Sequence, residues 1–567
     1  MVRFVSDESL GLKHIHQSKH ILMKFNVKHF AVLLSILITS CKNDAKLSAQ
    51  EPDEIANIQF SIQDFFDREA GTAYVSNLLL PDNDNLSLHF NLEEPLLKSI
   101  QKLEPTWSQE ELLNKGNFQF SIYVDETLAY TQNLQSGAGT LESKTKQLLH
   151  RIPLMHPKRI DYWGWYLWLR FMKMSGGQDK LSTGDHQLKI QVRPYVNSSE
   201  LKVGPILAEG EISVYVSEKP VSQDKIEIQP IKPNSGWPVS KAVFGAGRIE
   251  DLNKKIAQNR FELISSIVVI KEGELLLEEY FNNANRNSLH NTRSVGKSFA
   301  STMMGIAIEE GYIENEDLTL SDFFNLKDFD NYSDQKANVT LKSLLTMSSG
   351  FEGNDDDYDS PGNEENMYPT EDWVKFTLDL PMDSSKEIGK DYDYFTAGVV
   401  VLGDVIHKSV PGGLVDYSHE KLFKPLDISD YKWQYTPQKV GNTAGGLQLR
   451  SLDYAKFGQL YKNNGKWKNQ QIVPESWVKK SFMKHVKQPR NETSFYGYLF
   501  WNRIYSLNGQ DYEVSFCTGY GGNKIFIFKD IPFVIVITAE AFSLPYAHQQ
   551  VDTMMTDYIL PAITESN

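Results

Sequence analysis

Alternating apolar positions dominate the first third of the chain once its N-terminal segment is passed. Leu86/Leu88/Phe90/Leu92, Phe118/Phe120/Ile122/Val124, Leu188/Ile190/Val192 and Ile212/Val214/Val216 each put every second residue on one face, the period of a strand that buries one side. Such strands, separated by turn residues and a few helical or irregular insertions, predict a β-rich, sandwich-like domain over residues 56–218. Residues 219–240 carry Pro220, Pro230, Pro233 and Pro238 with little apolar periodicity, the composition of a linker. Beyond them the pattern changes. Residues 267–270 and 275–281 read as strands joined by a Lys271-Glu272-Gly273-Glu274 turn, and strands return only at 512–516, 524–528 and 533–538. The long stretch between is largely helical. Strands at both ends of a region with helices inside it predict an α+β domain over 241–567: an antiparallel sheet flanked by helices, with an inserted helical subdomain and a cleft between the layers.

At 567 residues the chain is long enough for several cores. Its net charge of −15 and lack of clustered Lys and Arg exclude a phosphate-tracking surface, so nucleic acid is not an expected partner. Met23-Lys24-Phe25-Asn26-Val27-Lys28 is a basic start, and residues 30–38 form an apolar run too short to span a bilayer as an ordinary helix, which together predict a signal peptide over 23–40. It ends in Ile38-Thr39-Ser40-Cys41, similar to the bacterial lipobox, in which the cysteine is lipidated. Residues 1–22 then read as an upstream-start artefact, and 41–55 as a tether. The expected location is the bacterial cell envelope, lipid-anchored through Cys41. Lys42, in place of an aspartate retention signal, favours the outer membrane. Cys41 and Cys517 are the only cysteines, so acylation of Cys41 leaves no disulfide framework.

Two segments have readings that the sequence leaves open. The run Asp161-Tyr162-Trp163-Gly164-Trp165-Tyr166-Leu167-Trp168 can stack on sugars or a partner, although core packing is the commoner fate of such runs. The acidic residues 352–365 lack the glycine and glutamate placement of a calcium loop. They read as a solvated loop, and no metal or other cofactor is expected.

Candidate chemistry lies at Thr292-Arg293-Ser294-Val295-Gly296-Lys297-Ser298, followed by Met303, Met304, Ile306, Ala307 and Ile308 at helical spacing. A helix begins here, and Ser294 at its N-terminal end sits where the dipole and free N–H groups favour developing negative charge. Lys297, at i+3, shares its face. Burial among apolar groups is expected to lower the lysine pKa until it can take the serine proton. Ser-x-x-Lys alone is weak evidence, since it recurs at Ser99, Ser143, Ser222, Ser333, Ser476 and Ser481. Gly296-Lys297-Ser298 is no phosphate loop, because position 291 is asparagine, and no Gly-x-Ser-x-Gly elbow occurs.

The downstream motifs separate Ser294 from those chance matches. Leu344-Leu345-Thr346-Met347-Ser348-Ser349-Gly350-Phe351, Asp372-Trp373-Val374 with Leu380-Pro381-Met382, Gly445-Gly446-Leu447, Asp453-Tyr454-Ala455-Lys456-Phe457-Gly458 and Pro474-Glu475-Ser476-Trp477-Val478 follow in order. Together with the serine helix they resemble the beta-lactamase-related serine hydrolases: class C beta-lactamases, DD-peptidases, esterases and nylon-oligomer hydrolases. The resemblance spans about 245–560. It implies that Tyr394, in Tyr394-Phe395-Thr396, is the catalytic tyrosine, with a phenol depressed in pKa by Lys297. It also implies that Cys517-Thr518-Gly519 is the third motif, and that the backbone N–H groups of Ser294 and Tyr520 form the oxyanion hole. Thr396 stands where the family usually has asparagine, and Cys517 where it has lysine or histidine. Thr396, Cys517, Thr518 and Gly519 are the expected cleft residues, with Cys517 as a small wall residue and Tyr392 as packing. The implied function is a serine hydrolase that forms an acyl-enzyme with an ester or small linear amide. The alternatives are a catalytically silent surface binding module and a D-amino-acid peptide or peptidoglycan-related hydrolase. The expected partners are a small ester or amide, or a cell-wall-derived substrate. The sequence carries no signature of oligomeric state.

Overall fold

The computed structural model describes residues 55–67, 72–158, 162–489 and 493–564. The signal segment, Cys41 and nearly all of the tether lie outside the described residues.

In the N-terminal region the alternating segments become β1 (Leu86–Asn91), β2 (Gly116–Val124), β3 (Thr127–Asn133), β4 (Leu149–Met155), β5 (Gly184–Asn197) and β6 (Ala208–Val216). β6, β5, β2 and β3 lie side by side as antiparallel neighbours in a seven-stranded sheet, while β1 and β4 belong to a three-stranded one. Leu88 and Phe90 from the small sheet share one core with Phe120, Ile122, Ile190 and Val214 from the large one, as expected for facing apolar stripes. The aromatic run forms α1 (Tyr162–Leu169), which packs on β4 so closely that a Cβ on Gly164 would lie 2.5 Å from the Pro153 carbonyl. Leu167 and Trp168 are buried there, so core packing is the role of the end of this run.

The proline-rich segment is seated against the following domain. Trp237 is buried edge-to-face against Trp467. Leu275 N–H donates to Pro238 O (2.8 Å), Ser240 N–H donates to Leu275 O (2.9 Å), and Gln229 N–H reaches Glu279 (2.7 Å). Proline removes donors but leaves carbonyls and extended backbone available, which here form a strap along a strand. Ion pairs such as Lys173–Glu262 (2.6 Å) and the bond from Gln549 to Met174 O join the two regions, which pack into one compact unit.

The C-terminal region opens with α2 (Ala246–Ala257), then β7 (Ile264–Lys271) and β8 (Glu274–Tyr280). Glu272 and Gly273 both have positive φ, as a two-residue hairpin turn matched to strand twist requires. α3 (Gly296–Glu309), α4 (Thr396–Ser409) and α5 (Ser451–Lys462) form the main helices of the interior stretch. β9 (Trp501–Leu507), β10 (Gln510–Gly519), β11 (Asn523–Phe528) and β12 (Phe533–Ala539) follow, then α6 (Ala547–Thr553). The antiparallel sheet runs β8-β7-β12-β11-β10-β9 and ends in two short strands, Phe495–Tyr496 and Val486–Lys487. β12 pairs directly with β7, so the two ends of the domain close one sheet as the pattern of strands predicts. β9 and the short strands are additions to that expectation. One core lies on the helical face of the sheet and a second under α2 and the C-terminal helices.

Replacing Trp237 with alanine opens a cavity under the strap and is expected to cost about 3–5 kcal/mol. Equilibrium denaturation of full-length protein checks this, and an unchanged midpoint would show that the strap contributes nothing.

Candidate active site

The short strand Leu289–Asn291 delivers the chain to a tight turn before α3. Thr292 is fully buried, and both its N–H and its hydroxyl donate to Leu447 O at 2.8 Å. Arg293 takes a positive φ of 47°, with its N–H held by Asn291 Oδ1 at 2.9 Å. Ser294 follows within one 3-10 turn, and α3 continues from Gly296. Glycines let neighbouring segments press against this turn: a Cβ on Gly445 would lie 2.8 Å from the Arg293 carbonyl carbon, and one on Gly519 would lie 2.4 Å from Thr292 O and 3.2 Å from Ser294 N. The Gly445-Gly446-Leu447 motif is therefore structural support for the serine.

Lys297 is 1% exposed. Its Nζ lies 2.7 Å from Ser294 Oγ and 3.0 Å from Ala444 O, and 5.1 Å from the centre of the Tyr394 ring. Among the described residues it makes no ion pair. The Tyr394 phenol comes within interaction range of the Ser294 hydroxyl, and its ring lies against Trp501. The Leu344–Phe351 motif holds the tyrosine segment from behind: Met347 O accepts Asp393 N–H at 2.9 Å, and Met347 Sδ accepts Phe395 N–H. Tyr392 packs edge-on against Tyr496 and Trp501, the packing role expected of it.

Tyr394 corrects one expectation. Burial raises its phenol above the ordinary value, and Lys297 and the Ser294 hydroxyl oppose that rise without reversing it. Desolvation of a phenolate outweighs one nearby positive charge, so the phenol keeps its proton at neutral pH.

The third motif lies at the end of β10. Cys517 is buried, and burial pushes its thiol up to about 12, which suits an inert wall and excludes ready thiolate chemistry. Thr518 is half-buried, with Oγ1 3.3 Å from His548 Nδ1. Gly519 packs close against the serine turn, within van der Waals range of Ser294 N. The Tyr520 ring itself is exposed and leans on Phe542. Thr396, an expected cleft residue, is fully buried at the first turn of α4, and its hydroxyl makes no hydrogen bond among the described residues.

Three neighbours are given no role by the sequence motifs. The Arg293 guanidinium lies 4.6 Å from the Phe542 ring. Asp355 Oδ2 accepts Thr396 N–H at 2.8 Å. His548 is pushed down to about 4, first by burial and then by Lys524. Behind it, Asp552 pairs with Lys524, which is 2% exposed on its side chain, and with Arg503 at 2.8 Å. His548 sits about 30 residues beyond the motif it touches, which is why periodicity alone does not find it.

With this geometry in view, comparison with known families is decisive: the Beta-lactamase family model matches residues 260–552, just over half of the chain. The chain belongs to the beta-lactamase family. Members of this family are generally serine hydrolases, and the Ser294–Lys297 pair lies inside the matched segment. No curated protein matches the chain. Among solved structures, a Bacillus anthracis protein provisionally named a 6-aminohexanoate-dimer hydrolase is 19% identical, with a TM-score of 0.46 over 60% of this chain and 90% of its own. A Bacteroides dorei protein named as a beta-lactamase is 17% identical, with a TM-score of 0.43 over 54% of this chain and 97% of its own. A penicillin-binding protein from Bacillus halodurans is 17% identical, with a TM-score of 0.41 over 52% and 96%.

The Asp552 cluster gives the beta-lactamase fold a specific test. Burial works to raise the Asp552 carboxyl, but Lys524 and Arg503 overcome it and hold the group far below the usual carboxylate range. Its stabilising contribution is therefore present above the ordinary aspartate pKa of about 3.9 and is lost as pH falls below it. Asp552→Asn, which leaves two cations without their carboxylate, is expected to cost about 3–5 kcal/mol at pH 7. The difference from wild type should shrink in acid, measured by denaturation across pH, and a pH-independent difference would contradict the assignment.

Proposed function

We propose that the protein hydrolyses an ester or a small linear amide through an acyl-enzyme on Ser294. The observation that carries this reading is the 2.7 Å approach of buried Lys297 Nζ to Ser294 Oγ. In its unprotonated form Lys297 accepts the hydroxyl proton as Oγ attacks the carbonyl carbon. The Ser294 and Tyr520 N–H groups receive the oxyanion, a contribution worth about a hundredfold or more in rate per donor. Tyr394, which holds its proton, passes it to the leaving alkoxide or amine and is reprotonated from Lys297. Water then adds to the acyl carbon, the acid departs, and Ser294 regains its proton.

Two positions favour esters and small amides over substrates with a carboxylate to be recognised. Cys517 offers no positive charge at the third motif, and buried Thr396 offers no amide pair to a substrate peptide group. Intact-mass measurement across an ester, amide and beta-lactam panel tests the reading. An acyl adduct on Ser294 from esters or amides, absent in Ser294→Ala, is expected. Turnover that persists in Ser294→Ala would overturn it.

We also propose that Cys41 carries the lipid that anchors the protein in the bacterial envelope, at the outer membrane. Cys41→Ser should move the protein from the membrane fraction to the soluble fraction, and unchanged fractionation would contradict the anchor.

A further inference from the structure

The acidic stretch reads as solvated, and Asp356, Asp357 and Asp359 are indeed exposed. Asp355 is different. Its N–H donates to Tyr394 O at 2.8 Å. Its Oδ2 accepts Thr396 N–H at 2.8 Å, and its Oδ1 accepts Glu364 N–H at 2.9 Å. One residue therefore grips the chain on both sides of Phe395. Thr396 N–H is one of the orphan donors of the first turn of α4, and Phe395 supplies no side-chain cap. A carboxylate from a segment about 40 residues upstream fills that place.

We propose that Asp355 is a positioning residue: bonded to Tyr394 O and Thr396 N–H, it fixes the backbone on either side of Phe395 and so aims the Tyr394 phenol at Ser294. The inference rests on the acyl-enzyme reading above. Misplacement of a reacting group by about 1 Å costs up to a hundredfold in rate, and one backbone bond with one carboxylate bond on the same short turn is a direct way to prevent it.

The carboxylate is held against its own preference. Burial and then the charge of Glu364 push it up to about 6, while Thr396 and Lys297 pull the other way. Glu364, Lys297, Tyr394 and Tyr368 are the titratable groups that face it. A carboxyl raised in the folded state loses stability as pH rises from its unfolded value through about 6, so ionised Asp355 opposes folding at neutral pH. A cap kept only for stability would behave in the opposite way.

The test measures the rate at which a fluorophosphonate labels full-length protein from pH 5 to 9, alongside the melting midpoint. Asp355→Asn should cut labelling at pH 8 by about tenfold or more and leave the midpoint at pH 8 unchanged or higher. It should also remove the rise in rate expected of wild type through about pH 6. Exposed Asp359→Asn should label at the wild-type rate. Wild-type labelling in Asp355→Asn, an inflection near 6 that survives the substitution, or lost labelling matched by a fallen midpoint would each overturn the proposal. Failure of wild-type protein to take up any probe would instead overturn the acyl-enzyme reading beneath it.

Discussion

A lysine head group removed from water must find its hydrogen-bond partners inside the protein, since a buried charge left unpaired costs several kcal/mol. Lys297 finds a hydroxyl, one carbonyl and an aromatic face, and no carboxylate among the described residues. The consequence is chemical as well as structural. Lys297 is directed at Ser294 Oγ because the surrounding elements leave it few other polar atoms to meet. Everything that shapes the site can be read as support for that arrangement.

The supports come from distant parts of the chain. Ala444 O and Leu447 O, 147 and 155 residues from their donors, belong to the glycine motif that presses on the serine turn. Gly519 closes the turn from the end of β10, where any side chain would meet Thr292 O. Tyr394 is held by Met347 on one side and Asp355 on the other. These are precise contacts between segments that cannot be displaced independently, because interiors this dense transmit a shift at one contact to its neighbours.

Much of this was legible in the sequence. Strand periodicity located strands in both regions of the chain, and the serine helix and its companions pointed to the constellation, because a nucleophile needs local geometry that leaves a local pattern. What escaped depends on long-range folding. The composition around Asp355 is that of a solvated loop, and nothing nearby announces that its carboxylate folds back onto the start of α4. Four prolines marked residues 219–240 as a linker, yet Trp237 packs on Trp467, and Pro238, Ser240 and Gln229 hydrogen-bond to β8. The Tyr394 phenol was expected to be depressed because its partner Lys297 is visible in the motif, whereas the burial that raises it is a property of the assembled core. In each case the residue type was visible and the environment that decides its behaviour was not.

The most direct test of the central claim is Lys297→Met, a substitution of similar length that occupies the same buried position without a proton acceptor. The quantity to measure is the rate of Ser294 acylation by an activated ester, with the melting midpoint recorded beside it. The account predicts that acylation falls by at least about a hundredfold while the protein remains folded, since the core keeps its volume and loses a polar group that was expensive to bury. Acylation within a few-fold of wild type would contradict it, because Ser294 would then be activated by something other than the lysine one turn away.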